Sequence, residues 1–278
     1  MTRATSPVPV VLLHALSLHA TMWGAQAQAL RALGHRVLTP DQRGFGATPL
    51  GDEPPSLDTV ADDLARTLDQ HGIERAALAG SSMGGYVAMA FLRRHPHRVA
   101  GLALMSARAT ADRPEAVAQR LRFAEIVQDG KAGHALVERV TPAMLGATTR
   151  QRSPQLLARV LADARRADPA AVAWAQRAIA ARPDSTDTLR AARVPATVIA
   201  GAQDELVAAD ESRYVAEILP YARLITVAEA GHLQPLEAPG AVDAALRHLL
   251  AEIAESDAGR DRPAPPVGAH AHKRGPAC

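Results

Sequence analysis

The sequence predicts an α/β protein: a doubly wound, mostly parallel sheet of about six to eight strands carrying a helical lid. Two observations predict it. Short apolar runs alternate with longer helical patterns, and residues 108–191 break that rhythm with helical stretches only. In chain order, the runs "VPVVLLHA" (8–15), "HRVLTPD" (35–41), "AALAGS" (76–81), "VAGLALMS" (99–106), "PATVIAGAQD" (195–204) and "ARLITVAEA" (222–230) predict buried strands. Between and after them, 21–33, 57–71, 84–95, 209–219 and 239–254 predict helices. Right-handed crossovers then put helices on both faces of the sheet.

This gives a core from residues 1–107 and 192–255, a lid from 108–191, and a tail from 256–278. The tail is rich in Pro, Gly and charge and is expected to be disordered. Its "HAHK" is expected to be solvated rather than metal-bound. No internal repeat is present.

The bulk composition narrows the function classes. Of 278 residues, 47% are apolar and only eight are aromatic (two Trp, three Tyr, three Phe), so Leu, Val, Ala and Ile must fill the core. The 31 basic and 29 acidic side chains nearly balance at +2, with the signs mixed. No basic stripe interleaves with aromatics, which argues against a nucleic-acid partner. The one cysteine, Cys278, leaves no intrachain disulfide to form and fits a reducing cytoplasm. The opening residues imitate a signal peptide, but Pro7, Pro9 and His14 interrupt the apolar part. No other run approaches the roughly 20 apolar residues needed to span a bilayer. The expectation is a cytoplasmic protein, monomer or homodimer, without membrane attachment.

Gly80-Ser81-Ser82-Met83-Gly84 matches G-x-S-x-G between a predicted strand and a predicted helix, the setting of a nucleophile elbow. A plain Gly/Ser turn is the competing explanation. The elbow requires small residues two before and two after the serine. Around Ser82 these are Gly80 and Gly84; around Ser81 they would be Ala79 and Met83, so Ser82 is the candidate. A serine hydroxyl needs a base to take its proton and a carboxylate to hold that base. Asp204 closes the run 195–204 and His232 follows the run 222–230, in the order Ser, acid, His. All three fall at the carboxyl ends of predicted strands, where such sheets bind ligands. Charge developing on an attacked carbonyl oxygen needs backbone N–H donors. Met83 and, in the loop after the first strand, Leu16 are the candidates.

These residues resemble the α/β-hydrolase superfamily, in its lidded branch, over about residues 8–250. The first loop, usually H-G-x followed by a Trp, reads His14-Ala15-Leu16 with Trp23; "DQRGFGAT" (41–48), "SMGG" and "GHLQPLEAP" match further signatures. The resemblance implies a serine esterase, enol-lactone hydrolase, haloperoxidase-like perhydrolase or carbon–carbon bond hydrolase. It implies a small-molecule ester or lactone as substrate, an acyl-enzyme on Ser82, and neither cofactor nor metal. Relatives with an elbow aspartate, the haloalkane dehalogenases and epoxide hydrolases, are disfavoured by Ser82. Two departures stand out. Ala15 adds a Cβ beside the candidate oxyanion hole, and the short stretch before the first strand predicts loss of the family's opening hairpin. Within the lid, Trp174, Phe123, Met144 and Leu145 are candidates for an acyl pocket, although packing between lid helices would use the same residues. Arg108 is a candidate for a substrate carboxylate, with a solvated surface role as the alternative. Use of the fold as a ligand receptor, or for a lyase or cyclase step, is the second functional class.

Overall fold

The computed structural model describes residues 7–260. Six parallel strands form one sheet: β1 (Val10–Leu13), β2 (Val37–Leu38), β3 (Ala76–Ser81), β4 (Val99–Met105), β5 (Ala196–Gly201) and β6 (Ala222–Val227), in the order β2-β1-β3-β4-β5-β6. Each lies inside one of the six expected runs. β2 is cut to two residues because Pro40 cannot donate to a ladder. It forms one edge, and half-exposed β6 forms the other.

Side chains alternate between two cores, as the period of two in a strand requires. Val11, Leu13, Leu78, Leu102 and Leu104 face one; Val10, Leu12, Ala77, Ala103 and Met105 face the other. The first core is covered by α2 (Leu57–Gln70) and α3 (Met83–Arg94), the second by α1 (Gly24–Ala32), which follows a 3-10 turn at Ala20–Trp23. α2 buries Leu57, Val60, Ala61, Leu64, Ala65 and Leu68, one stripe at helical spacing. The Ser56 hydroxyl caps this helix by accepting the Asp58 N–H at 3.1 Å.

Between β4 and β5 the regular structure is helical, joined by loops: α4 (Pro114–Ile126), α5 (Gly130–Val140), α6 (Ala147–Arg152), α7 (Pro154–Arg166), α8 (Pro169–Ala180) and α9 (Thr186–Ala191). α4, α7 and α8 open with Pro in the first turn, where its missing N–H costs nothing. α8 joins the first core through Ala171, Val172, Ala175 and Ile179. A buried ion cluster ties this segment down. The Asp112 carboxylate, 1% exposed, accepts from Arg182 at 2.8 Å and from Arg120 at 2.5 Å, and Arg182 lies 4.2 Å over the Tyr86 ring. Burial alone would raise the Asp112 pKa, but the two guanidinium groups hold it down at about 2.

After β5 come α10 (Ala209–Ile218), α11 (Gln234–Glu237) and α12 (Pro239–Arg260). α12 packs Val242, Leu246, Leu249 and Ile253 into the second core. It continues five residues past the point where the change in composition set the end of the core. Residues 261–278, with the "HAHK" segment, lie outside the described residues. Among the described residues, no helix is long and apolar enough to cross a membrane.

Candidate active site

The strand order reverses between β1 and β3, the position at whose carboxyl ends open α/β sheets bind their ligands. Ser82 sits there, between β3 and α3, with φ 53° and ψ −113°. A residue other than glycine in this region is strained, and strain of this kind persists only where surrounding structure imposes it. The cause is close packing. A Cβ on Gly80 would overlap the Gly84 carbonyl, and one on Gly84 would overlap the Leu13 carbonyl of β1. Ser81, the last residue of β3, is wholly buried and its hydroxyl has no partner. Ser82, not Ser81, faces the histidine.

His232 Nε2 lies 2.8 Å from Ser82 Oγ, and its Nδ1 lies 3.0 and 3.1 Å from the two Asp204 oxygens. The three residues come from three loops at the carboxyl end of the sheet. Asp204 Oδ1 also accepts the N–H groups of Leu206 (2.8 Å) and Val207 (3.0 Å), and Oδ2 accepts the Ser106 hydroxyl (2.8 Å). Burial on its own raises the Asp204 pKa. The hydrogen bond and charge of His232, then the Val207 N–H and the Ser106 hydroxyl, outweigh burial and hold it below the ordinary carboxylate value. The histidine loop is clamped in turn. Glu237 Oε1 accepts the N–H groups of Gly231 and Leu233, either side of His232, at 3.0 Å each. Its Oε2 accepts the Gly146 N–H at 2.7 Å, from the helical segment.

Among the described residues, neither Leu16 N–H nor Met83 N–H has a protein acceptor. Met83 is the first residue of α3, at the positive end of its dipole. The Leu16 loop is held by its neighbours. His14, wholly buried, donates from Nδ1 to the Ala15 carbonyl at 2.9 Å and accepts the Gln42 N–H on Nε2 at 2.9 Å. The Gln42 side chain donates to the His14 carbonyl at 2.7 Å, and the Ala15 N–H meets Met22 Sδ at 3.2 Å. Burial pushes the His14 pKa down to about 4, so the ring is neutral. Asp41 joins the same two loops by accepting the Ala20 N–H at 2.7 Å. The sequence marked "DQRGFGAT" as a signature; its contacts give the physical reason. Ala15 itself is fully buried in the second core.

The candidate pocket residues separate. Trp174 is 7% exposed, lies in the first core, and donates its indole N–H to the Glu53 carbonyl at 2.8 Å, a bond between α8 and the core loop. Phe123 is half-buried against that same core. Met144 packs against the second core and Leu145 is fully buried within it, where its backbone adjoins Gly231 beside His232. Arg108 donates to the Leu206 carbonyl at 2.7 Å and lies 3.8 Å from both Asp112 and Glu211. It braces the acid loop against the end of β4 rather than standing free in solvent. Two clefts of about 460 and 550 Å³, meeting at Arg193 and Val194, lie at the amino ends of the strands, away from this site. Among the described residues, no group of three or more His, Cys, Asp or Glu side chains is placed to hold a metal ion.

The family model for the alpha/beta hydrolase fold matches residues 8–239. The chain belongs to the α/β-hydrolase fold family. It is 32% identical over 240 residues to a pimeloyl-[acyl-carrier protein] methyl ester esterase of Aromatoleum aromaticum, covering 83% of this chain and 93% of the relative. Among solved structures it is similar to a thermophilic esterase from Thermogutta terrifontis, with TM-score 0.84, 36% identity, and 88% and 90% of the two chains covered. It is also similar to the enol-lactonase from Burkholderia xenovorans LB400, with TM-score 0.80, 28% identity, and 90% and 94% covered.

Proposed function

We propose that this protein is a serine hydrolase that cleaves carboxylic esters or lactones of small molecules through an acyl-enzyme on Ser82. The observation that carries this is the relay of Ser82 Oγ, His232 and Asp204, joined at 2.8 and 3.0 Å on a strained elbow. The esterase and enol-lactonase relatives support that substrate class.

In this mechanism His232 Nε2 takes the Ser82 proton as Oγ attacks the carbonyl carbon. Asp204 keeps the Nδ1 proton in place and stabilises the imidazolium that forms. The oxyanion receives the N–H groups of Met83 and Leu16, each worth about 3–4 kcal/mol of barrier on the scale of oxyanion-hole donors. His232 then protonates the leaving alcohol, and water repeats the sequence on the acyl-enzyme. Leu145 and Gly146 adjoin Gly231, the residue before His232, and this adjacency supports a lid role for the helical segment.

A panel of p-nitrophenyl esters of increasing chain length, together with simple lactones, tests this. Turnover by wild type that drops at least about 1,000-fold in Ser82→Ala is expected. A fluorophosphonate should label Ser82. Equal turnover by the mutant, or labelling at Ser81, would overturn the mechanism. Absence of turnover across the panel would favour a receptor or non-hydrolytic use of the fold.

A further inference from the structure

Beyond the three relay residues, the acid has two further side chains behind it. Ser106, the residue after β4, the strand next to β3, has φ 50°, strained like Ser82. It is 1% exposed, and Gln234, the first residue of α11, is 0% exposed. Gln234 Nε2 lies 2.8 Å from Ser106 Oγ and 2.6 Å from the Gly231 carbonyl, while its Oε1 has no partner. A carbonyl accepts only, so the amide nitrogen must be the group that faces Gly231. The same nitrogen therefore donates to Ser106 Oγ, and the Ser106 proton is left to point at Asp204 Oδ2, 2.8 Å away.

We propose that Ser106 and Gln234 are positioning residues that set the direction of every proton in the relay. From Gln234 to Ser106 to Asp204, each group donates toward the carboxylate. Asp204 thus accepts from Ser106, Leu206, Val207 and His232, which requires it to be ionised and His232 to carry its proton on Nδ1. Nε2 is then the bare nitrogen facing Ser82 Oγ, the tautomer a base needs. The chain closes on itself, because Gln234 ends on the carbonyl of Gly231, the residue before His232. The strained φ of Ser106 is what brings its hydroxyl to Oδ2.

The charged groups on the surrounding elements are accounted for. Glu237 is bonded to N–H groups on either side of His232, Glu205 is paired with Arg150, and Arg108 donates to the Leu206 carbonyl. Ser106 is therefore the only side chain besides His232 that donates to Asp204 among the described residues.

This inference rests on the relay proposed above, and its test is separable from it. The readouts are the kcat/KM pH profile and an NMR titration of His232 in labelled protein. Ser106→Gly removes the hydroxyl and relieves the strain; Ser106→Ala removes the hydroxyl alone. Both should lower kcat about tenfold, the scale of a lost hydrogen bond to a charged group, with KM within about twofold. Both should move the His232 titration and the acid limb to higher pH, because a carboxylate relieved of a donor holds an imidazolium more strongly. Gln234→Met should shift the same quantities less, and Ser106→Gly with Gln234→Met should lose less than the product of the two single losses, since Gln234 acts partly through Ser106 and partly through the Gly231 carbonyl. A His232 titration unmoved in both Ser106 variants, or losses that multiply in the double variant, would overturn the proposal. If wild type turns over no ester, the functional proposal fails while the His232 titration still decides this one.

Discussion

Acid sensitivity centred on His14 follows from its burial. Its imidazole is fully enclosed, donates to Ala15 and accepts from Gln42, and its pKa falls from the ordinary 6.5 to about 4. The unfolded chain therefore binds a proton at this position before the folded protein does. Stability from this group is complete above pH 6.5 and is lost as pH falls toward 4. Each pH unit in that window removes about 1.4 kcal/mol, so the whole window removes about 3 kcal/mol. When the ring does protonate, Nε2 no longer accepts the Gln42 N–H, and the loop carrying Leu16 loses one of its ties. Urea unfolding of wild type and His14→Gln at intervals from pH 8 to pH 4 measures this. Wild type should lose about 3 kcal/mol more than the variant across the series. Parallel curves would refute the assignment of a neutral, buried His14.

Other sites give their own expectations. Asp112→Asn leaves Arg182 and Arg120 without their anion and should cost about 3 kcal/mol at pH 7, read by thermal or denaturant unfolding. Because the folded Asp112 pKa is depressed to about 2, that difference should shrink as pH falls from 4 toward 2. Gly84→Ala drives a methyl group into the Leu13 carbonyl; it should destabilise by about 1–3 kcal/mol and cut kcat/KM by about 100-fold through displacement of Ser82. Glu237→Ala leaves three N–H groups without their acceptor, with an expected loss of about 2 kcal/mol in unfolding and a fall in kcat; Glu237→Gln should recover part of both. Asp204→Asn should leave the fold intact and lower kcat about 10⁴-fold, since an amide cannot hold the same histidine tautomer.

The six apolar runs and the elbow were legible because they depend on local chemistry. A strand buried on both faces reads as an unbroken apolar run, and an elbow reads through the size of Gly80 and Gly84. Asp204 and His232 could be singled out because chain order and strand ends leave few polar residues in the right places. The partners of those residues were not legible. Ser106 and Met22 are ordinary residue types without local pattern, and His14, Gln42, Gln234 and Glu237 stood only inside signatures that gave no role. Their roles come from the contacts the folded chain makes, several of them across large sequence separations, as between Gln234 and Ser106, 128 residues apart.

Trp174 and Arg108 show the same division from the other side. Their residue types suggested a pocket and a solvated or substrate-facing cation, but the fold gives the indole N–H to Glu53 and the guanidinium to the acid loop. By itself, the sequence determined the strand and helix pattern, the parallel sheet and the family, because periodicity and side-chain volume act over a few residues. Only the tertiary structure decided which buried polar groups meet, because every buried donor or acceptor needs a partner and that partner is chosen by packing, not by position in the chain.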